Sequence, residues 1–277
     1  MRPQAASQTE ILRLSTIKRN GSISSCGGEC RNAPLLSYPV RVPPVASKKP
    51  AKSSSPSGFV YRLLRLAIGC LLAFYVLVFL GFFALRWINP PFTAVQAERR
   101  LEALLHRTPY HKRYVFVPLG RISPDFQHAV IAAEDSRFYQ HHGFDWEEVR
   151  NAVEEDREGG RLRGASTITQ QLVRNLFLST GRSFVRKAIE FTLVPLAEHI
   201  LGKKRILELY LNVVEWGPGV YGAEAAAEYH YGIPAARVNR DEGARLAAVL
   251  PSPIRRRPAR MNEYGARILE RMAKMGW

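Results

Sequence analysis

The longest apolar stretch of the chain runs without a charge from Leu66 to Leu85, as LAIGCLLAFYVLVFLGFFAL. A helix needs about 20 such residues to cross the roughly 30 Å of hydrocarbon in a bilayer. A signal peptide would have a shorter apolar core, nearer the N-terminus, followed by a small-residue cleavage site. The pattern therefore predicts one uncleaved transmembrane helix, within an anchor over residues 59–88.

The residues on the two sides of this stretch differ in composition and charge. Residues 1–58 are rich in Ser, Pro, Gly and basic residues and have no sustained apolar period, which predicts a disordered basic tail. Only Arg86 follows the apolar stretch closely, whereas several basic residues precede it: Lys48, Lys49, Lys52, Arg62 and Arg65. The positive-inside rule thus predicts a cytoplasmic tail and an extracytoplasmic domain over residues 89–277.

A helical apolar period begins at Phe126, after Ser123 as the predicted N-cap. Glu134 continues the apolar face of this helix, whereas Asp135 lies off that face and need not be buried. A carboxylate on an apolar face must be paired or desolvated, and desolvation raises its pKa toward neutrality, as a general base requires. The segment Ala132–Asp145 is therefore the predicted chemical site. The alternative is a helix-terminal acidic pair with one satisfied histidine.

A second helix is predicted after Thr167, because Gln170 stands at the capping-box spacing. Gln171 and Arg174 share its polar edge. A helix N-terminus that carries the hydroxyls of Ser166 and Thr167, with an arginine nearby, suits a phosphate group. A well-capped core helix with a polar outer edge would show the same pattern.

A long helix is predicted before Gly202, bent or broken near Pro195, with a further helix beyond. Arg186, Lys187 and Glu190 stand close together at its start. On a wet surface they would form an ordinary intrahelical ion-pair set, worth a few tenths of a kcal/mol.

Charge is the main compositional signal. The 277 residues carry a formal net charge of +16 and a pI near 10.2, and 46% of them are hydrophobic. One domain of ordinary size plus extensions fits this length, and basicity of this size favours nucleic acid, an anionic membrane or a phosphorylated substrate. The three cysteines, Cys26, Cys30 and Cys70, support neither a disulfide scaffold nor a zinc site.

Five short motifs follow one another between about Pro118 and Pro253. They are Glu134-Asp135-x-x-Phe138-x-x-His141-x-Gly143, Gly164-x-Ser166-Thr167-x-Thr169-Gln170-Gln171, Arg186-Lys187-x-x-Glu190, Lys203-x-x-Ile206-Leu207-Glu208-x-Tyr210-Leu211-Asn212 and Arg245-x-x-x-Val249-Leu250. In this order they resemble the monofunctional peptidoglycan glycosyltransferases, single-domain relatives of the polymerase module of bifunctional penicillin-binding proteins. Departures are small: Ala165, Gly202 and Arg174 stand where Gly, Ser and Lys are usual.

The resemblance implies a mainly α-helical, lysozyme-like, two-lobed domain behind one N-terminal transmembrane helix. It also implies a single-pass protein of the bacterial inner membrane with its catalytic domain in the periplasm. The substrate would be lipid II, and the reaction an inverting glycosyl transfer that elongates a glycan chain and releases undecaprenyl pyrophosphate. The phosphorylated ligand that the positive charge favours would then be this pyrophosphate. Nucleic acid would not be a partner.

The resemblance also assigns roles to the candidate residues. Glu134 would be the general base and Glu190 the second catalytic carboxylate, in support of the cations. The pyrophosphate site would comprise Ser166, Thr167, Gln171, Arg174, Arg186 and Lys187. A divalent cation, Mg²⁺ or Mn²⁺, could accompany the pyrophosphate, but no ligand cluster in the sequence calls for one.

Two further expectations concern partners and alternatives. No acyltransferase domain follows Trp277, so a separate transpeptidase and other cell-wall synthesis proteins are expected as partners. A lytic enzyme on the same fold would also use one glutamate on a helix, although it would have no need of the phosphate-seeking cations. A membrane-anchored adaptor that merely binds anionic polymer would not need Glu134 at all.

Overall fold

The computed structural model describes residues 57–157, 166–181 and 183–277, and this part of the chain is mainly α-helical, as predicted. The predicted tail lies outside the described residues except for its last two, and so do Gly164 and Ala165 of the second motif. The helices are α1 (Ser57–Leu85), α2 (Ala94–Leu105), α3 (Pro124–Glu134), α4 (Trp146–Arg157), α5 (Ile168–Phe177), α6 (Phe184–Val213), α7 (Ala223–Tyr231), α8 (Arg240–Ala247) and α9 (Asn262–Lys274).

A small sheet accompanies the helices. It consists of β1 (Arg113–Tyr114), β2 (Glu215–Gly217) and β3 (Val220–Tyr221) in the order β1-β3-β2. Strand β3 pairs parallel to β1 and antiparallel to β2. The sheet leads directly into α7, so the glycines between residues 217 and 222 serve a tight turn.

Helix α1 is long and apolar enough to cross a membrane. Its last turns do not stand free, because Phe82 is buried and packs edge-on against Phe177, with ring centroids 4.8 Å apart. The guanidinium of Arg86 donates to the carbonyl of Ile200 at 2.9 Å, and that of Arg205 donates to the carbonyl of Leu85 at 2.8 Å. The end of the predicted anchor is therefore fastened to α5 and α6.

Helix α3 forms as predicted, with one correction. Ser123 precedes the helix, but its side chain makes no capping hydrogen bond, and the start relies instead on Pro124 at the first helical position. Phe126 is buried, and α3 packs against α8 and α9. The predicted apolar face therefore exists and meets the C-terminal part of the domain.

The break in the long helix α6 falls at Gly202 and not at Pro195. Gly202 has φ 71° and ψ 160°, and it is the residue within α6 whose backbone is not helical. Pro195 is accommodated within the first segment. The two segments of α6 thus meet in a kink at Gly202, and α6 packs against α5.

Asn212 is a fully buried polar residue at the end of α6. Its side-chain oxygen Oδ1 accepts from the backbone N–H of Val117 at 2.8 Å. Its side-chain nitrogen Nδ2 donates to the backbone carbonyl of Val117 at 2.9 Å and to that of Glu208 at 2.8 Å. Val117 lies between β1 and α3, outside the sheet, so its backbone N–H and C=O have no partners from a neighbouring strand. The side chain of Asn212 supplies those partners. Asn212 therefore ties the approach to α3 onto α6.

Asn212→Ala is expected to destabilise the domain strongly. Each buried backbone group that loses its partner costs about 1–3 kcal/mol, and Val117 would lose partners for both its N–H and its C=O. The free energy of unfolding in denaturant measures the loss. Asn151→Ala, at an exposed position of α4, is the control and should change it little. Equal stability of the two variants would contradict this role of Asn212.

Candidate active site

The end of helix α3 separates two neighbouring acidic residues. Glu134 lies inside the helix and Asp135 just outside it, so their carboxylates have different surroundings. Glu134 is the last residue of the helix, and the backbone of Asp135 leaves it with φ −161° and ψ 73°. Asp135 is buried, which corrects the expectation that it need not be, whereas Glu134 is partly buried.

Both oxygens of the Asp135 carboxylate are occupied. Oδ2 accepts from the backbone N–H of Ile168, the first residue of α5, at 2.9 Å, and Oδ1 lies 2.9 Å from Nε2 of His141. The N–H of Gly143 donates to Nδ1 of His141 at 3.1 Å, so the ring proton lies on Nε2 and is donated to Asp135. The interpretation of a satisfied histidine is thus confirmed for His141, and it does not involve Glu134.

Gly143 lets the loop after α3 approach α6 closely. Its φ is 93°, and a Cβ placed on it would lie 2.4 Å from Cγ1 of Val194, so a side chain has no room there. The carbonyl of Gly143 accepts from the hydroxyl of Thr167 at 2.7 Å. The loop, the start of α5 and the first segment of α6 are therefore held together.

The predicted capping box at the start of α5 is confirmed. The Thr167 side chain accepts from the N–H of Gln170 at 3.2 Å, and the Gln170 side chain accepts from the N–H of Thr167 at 2.9 Å. Because the Thr167 hydroxyl already donates to Gly143, this residue positions the start of the helix. The predicted contacts of Ser166 and Thr167 with substrate remain predictions.

Glu134 faces the polar edge of α5, as its predicted role requires. Nε2 of Gln171 donates to Oε2 of Glu134 at 2.7 Å. The hydroxyl of Tyr210 donates to Oε1 of Gln171 at 2.9 Å, which turns the NH₂ end of the amide toward Glu134. Burial raises the pKa of Tyr210 well above its ordinary value, so this hydroxyl keeps its proton.

The surroundings of Glu134 combine burial with positive charge. Desolvation by burial raises the pKa of Glu134, and the hydrogen bond from Gln171 and the charges of Arg174 and Arg256 partly oppose this rise. The nearby charge of Asp135 adds to it. Such a carboxylate is a stronger base than a solvated one, while the cations keep its ionised form accessible.

Sequence reasoning missed two members of this group. Tyr210 stands within the fourth motif. Its position in the sequence predicts that the side chain is buried, but it does not predict the hydrogen bond to Gln171. Arg256 lies in the basic run after α8, which had no assigned role, and its guanidinium is held by a bond to the carbonyl of Ala248 at 2.9 Å. Both lie far along the chain from Glu134, so only the fold brings them to it.

The third-motif residues form a compact ion cluster at the start of α6. Glu190 is buried, and its two oxygens contact Arg186 Nη1 at 2.7 Å and Lys187 Nζ at 2.5 Å. Nε of Arg186 also donates to the carbonyl of Gly181 at 2.6 Å. The intrahelical pairing expected from the spacing is therefore present, but it surrounds a buried carboxylate and is not a wet surface pair.

One group of side chains in the described part of the chain has the proximity of metal ligands: Asp135, His141 and Asp145. Asp135 and His141 are already bonded as described above. Asp145 Oδ1 accepts from two N–H groups at the start of α4, and Oδ2 lies 3.6 Å from the guanidinium of Arg137. The ligand atoms of this group thus hold the loop together and do not fit a resident metal.

Glu134→Gln should stabilise the folded protein at neutral pH. Because the pKa of Glu134 is raised on folding, its stabilising contribution is full below the ordinary glutamate pKa and is lost as pH rises through the raised pKa. Glutamine cannot ionise, yet its carbonyl can still accept from Gln171. We expect a higher Tm for the variant at neutral pH, with the difference closing below about pH 4. Thermal unfolding of the detergent-solubilised protein measures both, and a lower Tm for Glu134→Gln at neutral pH would contradict the desolvation of Glu134.

Comparison with known proteins identifies the family of the chain. A family model described as Transglycosylase matches residues 101–275. A biosynthetic peptidoglycan transglycosylase of Pseudomonas entomophila (strain L48) is 45% identical over 193 residues, which cover 70% of this chain and 79% of the relative. Its namesake from Ectopseudomonas mendocina (strain ymp) is 44% identical over 219 residues, covering 78% of this chain and 89% of the relative. The chain therefore belongs to the transglycosylase family and is a peptidoglycan transglycosylase with a lysozyme-like helical fold.

Proposed function

We propose that this transglycosylase elongates glycan chains from lipid II by inverting glycosyl transfer, with undecaprenyl pyrophosphate as the leaving group. The observation that carries the proposal is the Glu134 carboxylate, desolvated on the edge of α5 and held by Gln171 beside Arg174. A glycosyl transfer with a pyrophosphate leaving group needs one base and nearby cations, and these residues supply both.

In the proposed reaction the 4-hydroxyl of the acceptor GlcNAc attacks the anomeric carbon of the donor's terminal MurNAc. The new C–O bond forms as the bond from that carbon to the pyrophosphate oxygen breaks, and the hydroxyl proton passes to Glu134. Gln171 donates to the carboxylate oxygen Oε2, which leaves Oε1 for the incoming proton. Tyr210 orients Gln171 and takes no part in the transfer itself.

The donor pyrophosphate would lie against Arg174, Arg186 and Lys187. Lys187 carries three N–H donors and is about half exposed, so donors remain beyond its contact with Glu190. Glu190 is buried and uses one oxygen for each cation, so it would orient the two cations and leave proton transfer to Glu134. A divalent cation with the pyrophosphate would therefore be held by the substrate's own oxygens.

The proposed orientation in the membrane follows from α1 and the charges around it. The cluster of Lys48, Lys49 and Lys52 before α1 favours a cytoplasmic N-terminus, and the domain would then lie in the periplasm, anchored to the inner membrane by a single pass. Lipid II and the nascent chain would meet the enzyme at this membrane surface. A separate transpeptidase and other cell-wall synthesis proteins are the proposed protein partners.

Glu134→Gln is expected to abolish polymerisation of purified lipid II by the detergent-solubilised full chain. Loss of a general base costs about 10²–10⁴ in rate. Glu154→Gln, at an exposed position of α4, is the matched control and should retain wild-type turnover. Half of wild-type turnover in Glu134→Gln would refute the assignment. Cleavage of finished peptidoglycan, without polymerisation of lipid II, would identify a lytic enzyme instead.

Neutralising the donor cations tests the pyrophosphate site separately. A charge-assisted bond to a desolvated phosphate is worth about 1.5–3 kcal/mol, so Arg174→Ala and Lys187→Ala should each lower kcat/KM by about tenfold or more. The control is Lys274→Ala, which removes an exposed ion pair with Glu270 four residues away and should change little. Binding of a pyrophosphate-bearing donor analogue should weaken in parallel. Unchanged binding in both variants would refute the pyrophosphate site.

A further inference from the structure

A second polar site lies away from Glu134, at the start of α2. A pocket of about 360 Å³ is lined by Phe92, Gln96, Ala97, Arg100, Tyr110 and Lys112. None of these residues belongs to the five motifs, and none takes part in the proposed glycosyl transfer. The pocket lies between the first turns of α2 and the chain that leads into β1.

Gln96 is the most informative residue of this pocket. It is only 3% exposed, and neither its amide nitrogen nor its amide oxygen has a hydrogen-bond partner among the described residues. A buried amide without partners is costly, and such groups call for an explanation. A ligand that satisfied Gln96 would have to present both an acceptor for the NH₂ group and a donor for the oxygen.

Two cations line the same pocket as Gln96 and have no acidic partner in the described chain. Arg100 and Lys112 form no ion pair there, whereas the neighbouring Arg99 is bonded to Glu102 and Glu215. Burial lowers the pKa of Lys112, and the like charge of Arg100 lowers it further. Lys112 is held in place by the carbonyl of Pro91 at 3.3 Å and by the ring of Tyr114. The pocket thus concentrates positive charge that an anion would neutralise.

The pocket also lies close to the chain segment that follows α1, the proposed membrane anchor. The hydroxyl of Tyr114 donates to the carbonyl of Pro90 at 2.6 Å, which holds the chain after α1 against this region. Phe92 at the pocket is 66% exposed, and α2 exposes Leu101, Leu104 and Leu105. An amphiphile could therefore place its apolar part on these side chains while its polar head fills the pocket.

We propose that this pocket binds the headgroup of an anionic phospholipid that carries hydroxyl groups, of the phosphatidylglycerol type. The phosphodiester lies between Arg100 and Lys112. On binding, Gln96 turns its amide, which is buried in the unliganded chain, into the pocket, where the nitrogen donates to the phosphodiester and the oxygen accepts from a headgroup hydroxyl. A choline headgroup offers no donor for this oxygen and brings a positive charge to two cations. Free phosphate would satisfy the charges but would leave the exposed apolar rim unused.

The test is calorimetric titration of the full chain in a neutral detergent with short-chain phosphatidylglycerol, short-chain phosphatidylcholine and inorganic phosphate. We expect saturable binding of phosphatidylglycerol, at least about tenfold tighter than binding of either other ligand. Equal binding of phosphatidylcholine would overturn recognition by charge and hydroxyl. Equal binding of inorganic phosphate would overturn the assignment to a lipid.

Variants separate a built site from diffuse surface charge. Arg100→Gln and Lys112→Gln should each weaken phosphatidylglycerol binding about tenfold. Arg107→Gln, an exposed change of the same charge just beyond α2, should not. Gln96→Leu should weaken binding while leaving Tm equal or higher, a combination that a merely structural glutamine would not give. Equal losses in Arg100→Gln and Arg107→Gln would overturn the proposal, and lipid II turnover without anionic lipid should be unchanged in all four variants.

Discussion

The rest of the site depends on the two hydrogen bonds that the carboxylate of Asp135 accepts. By accepting from the first N–H of α5 and from His141, it joins the end of α3, the loop that follows and the start of α5. A negative charge at a helix N-terminus is favourable in itself, and here it also fixes where α5 begins relative to α3. Since Glu134 is the preceding residue and Gln171 lies in the first turn of α5, this junction sets their contact.

Two adjacent carboxylates thus have opposite roles. Asp135 has both carboxylate oxygens bonded and stabilises the fold. Glu134 has one oxygen without a bond, and burial destabilises its ionised form. Desolvation makes Glu134 a better base and makes the folded protein less stable at neutral pH, a trade that active sites commonly show. Arg174 and Arg256 moderate the cost without pairing directly with the carboxylate.

Local sequence signals predicted the local structure well. The apolar run gave α1, the Thr167–Gln170 spacing gave the capping box, and Gly202 ended a helical segment where expected. Ser123, which makes no capping bond, is a local error. The other errors arose where partners lie far apart in sequence: Asp135 is buried by a contact 33 residues away, and the Tyr210 hydroxyl reaches an amide 39 residues away. The periodicity of apolar residues shows which face of a helix is buried, but it does not show which distant polar group will bond to a residue on that face.

The pH dependence of kcat/KM for lipid II polymerisation tests most directly whether Glu134 is a base tuned by burial and by Gln171. The N–H of Gln171 favours the ionised carboxylate, so removing it should raise the pKa of Glu134 further. We expect the acid limb of the wild-type profile to lie above the ordinary glutamate range and to move to higher pH in Gln171→Leu. An acid limb in the ordinary range, or one that does not move in Gln171→Leu, would contradict the role assigned to Glu134.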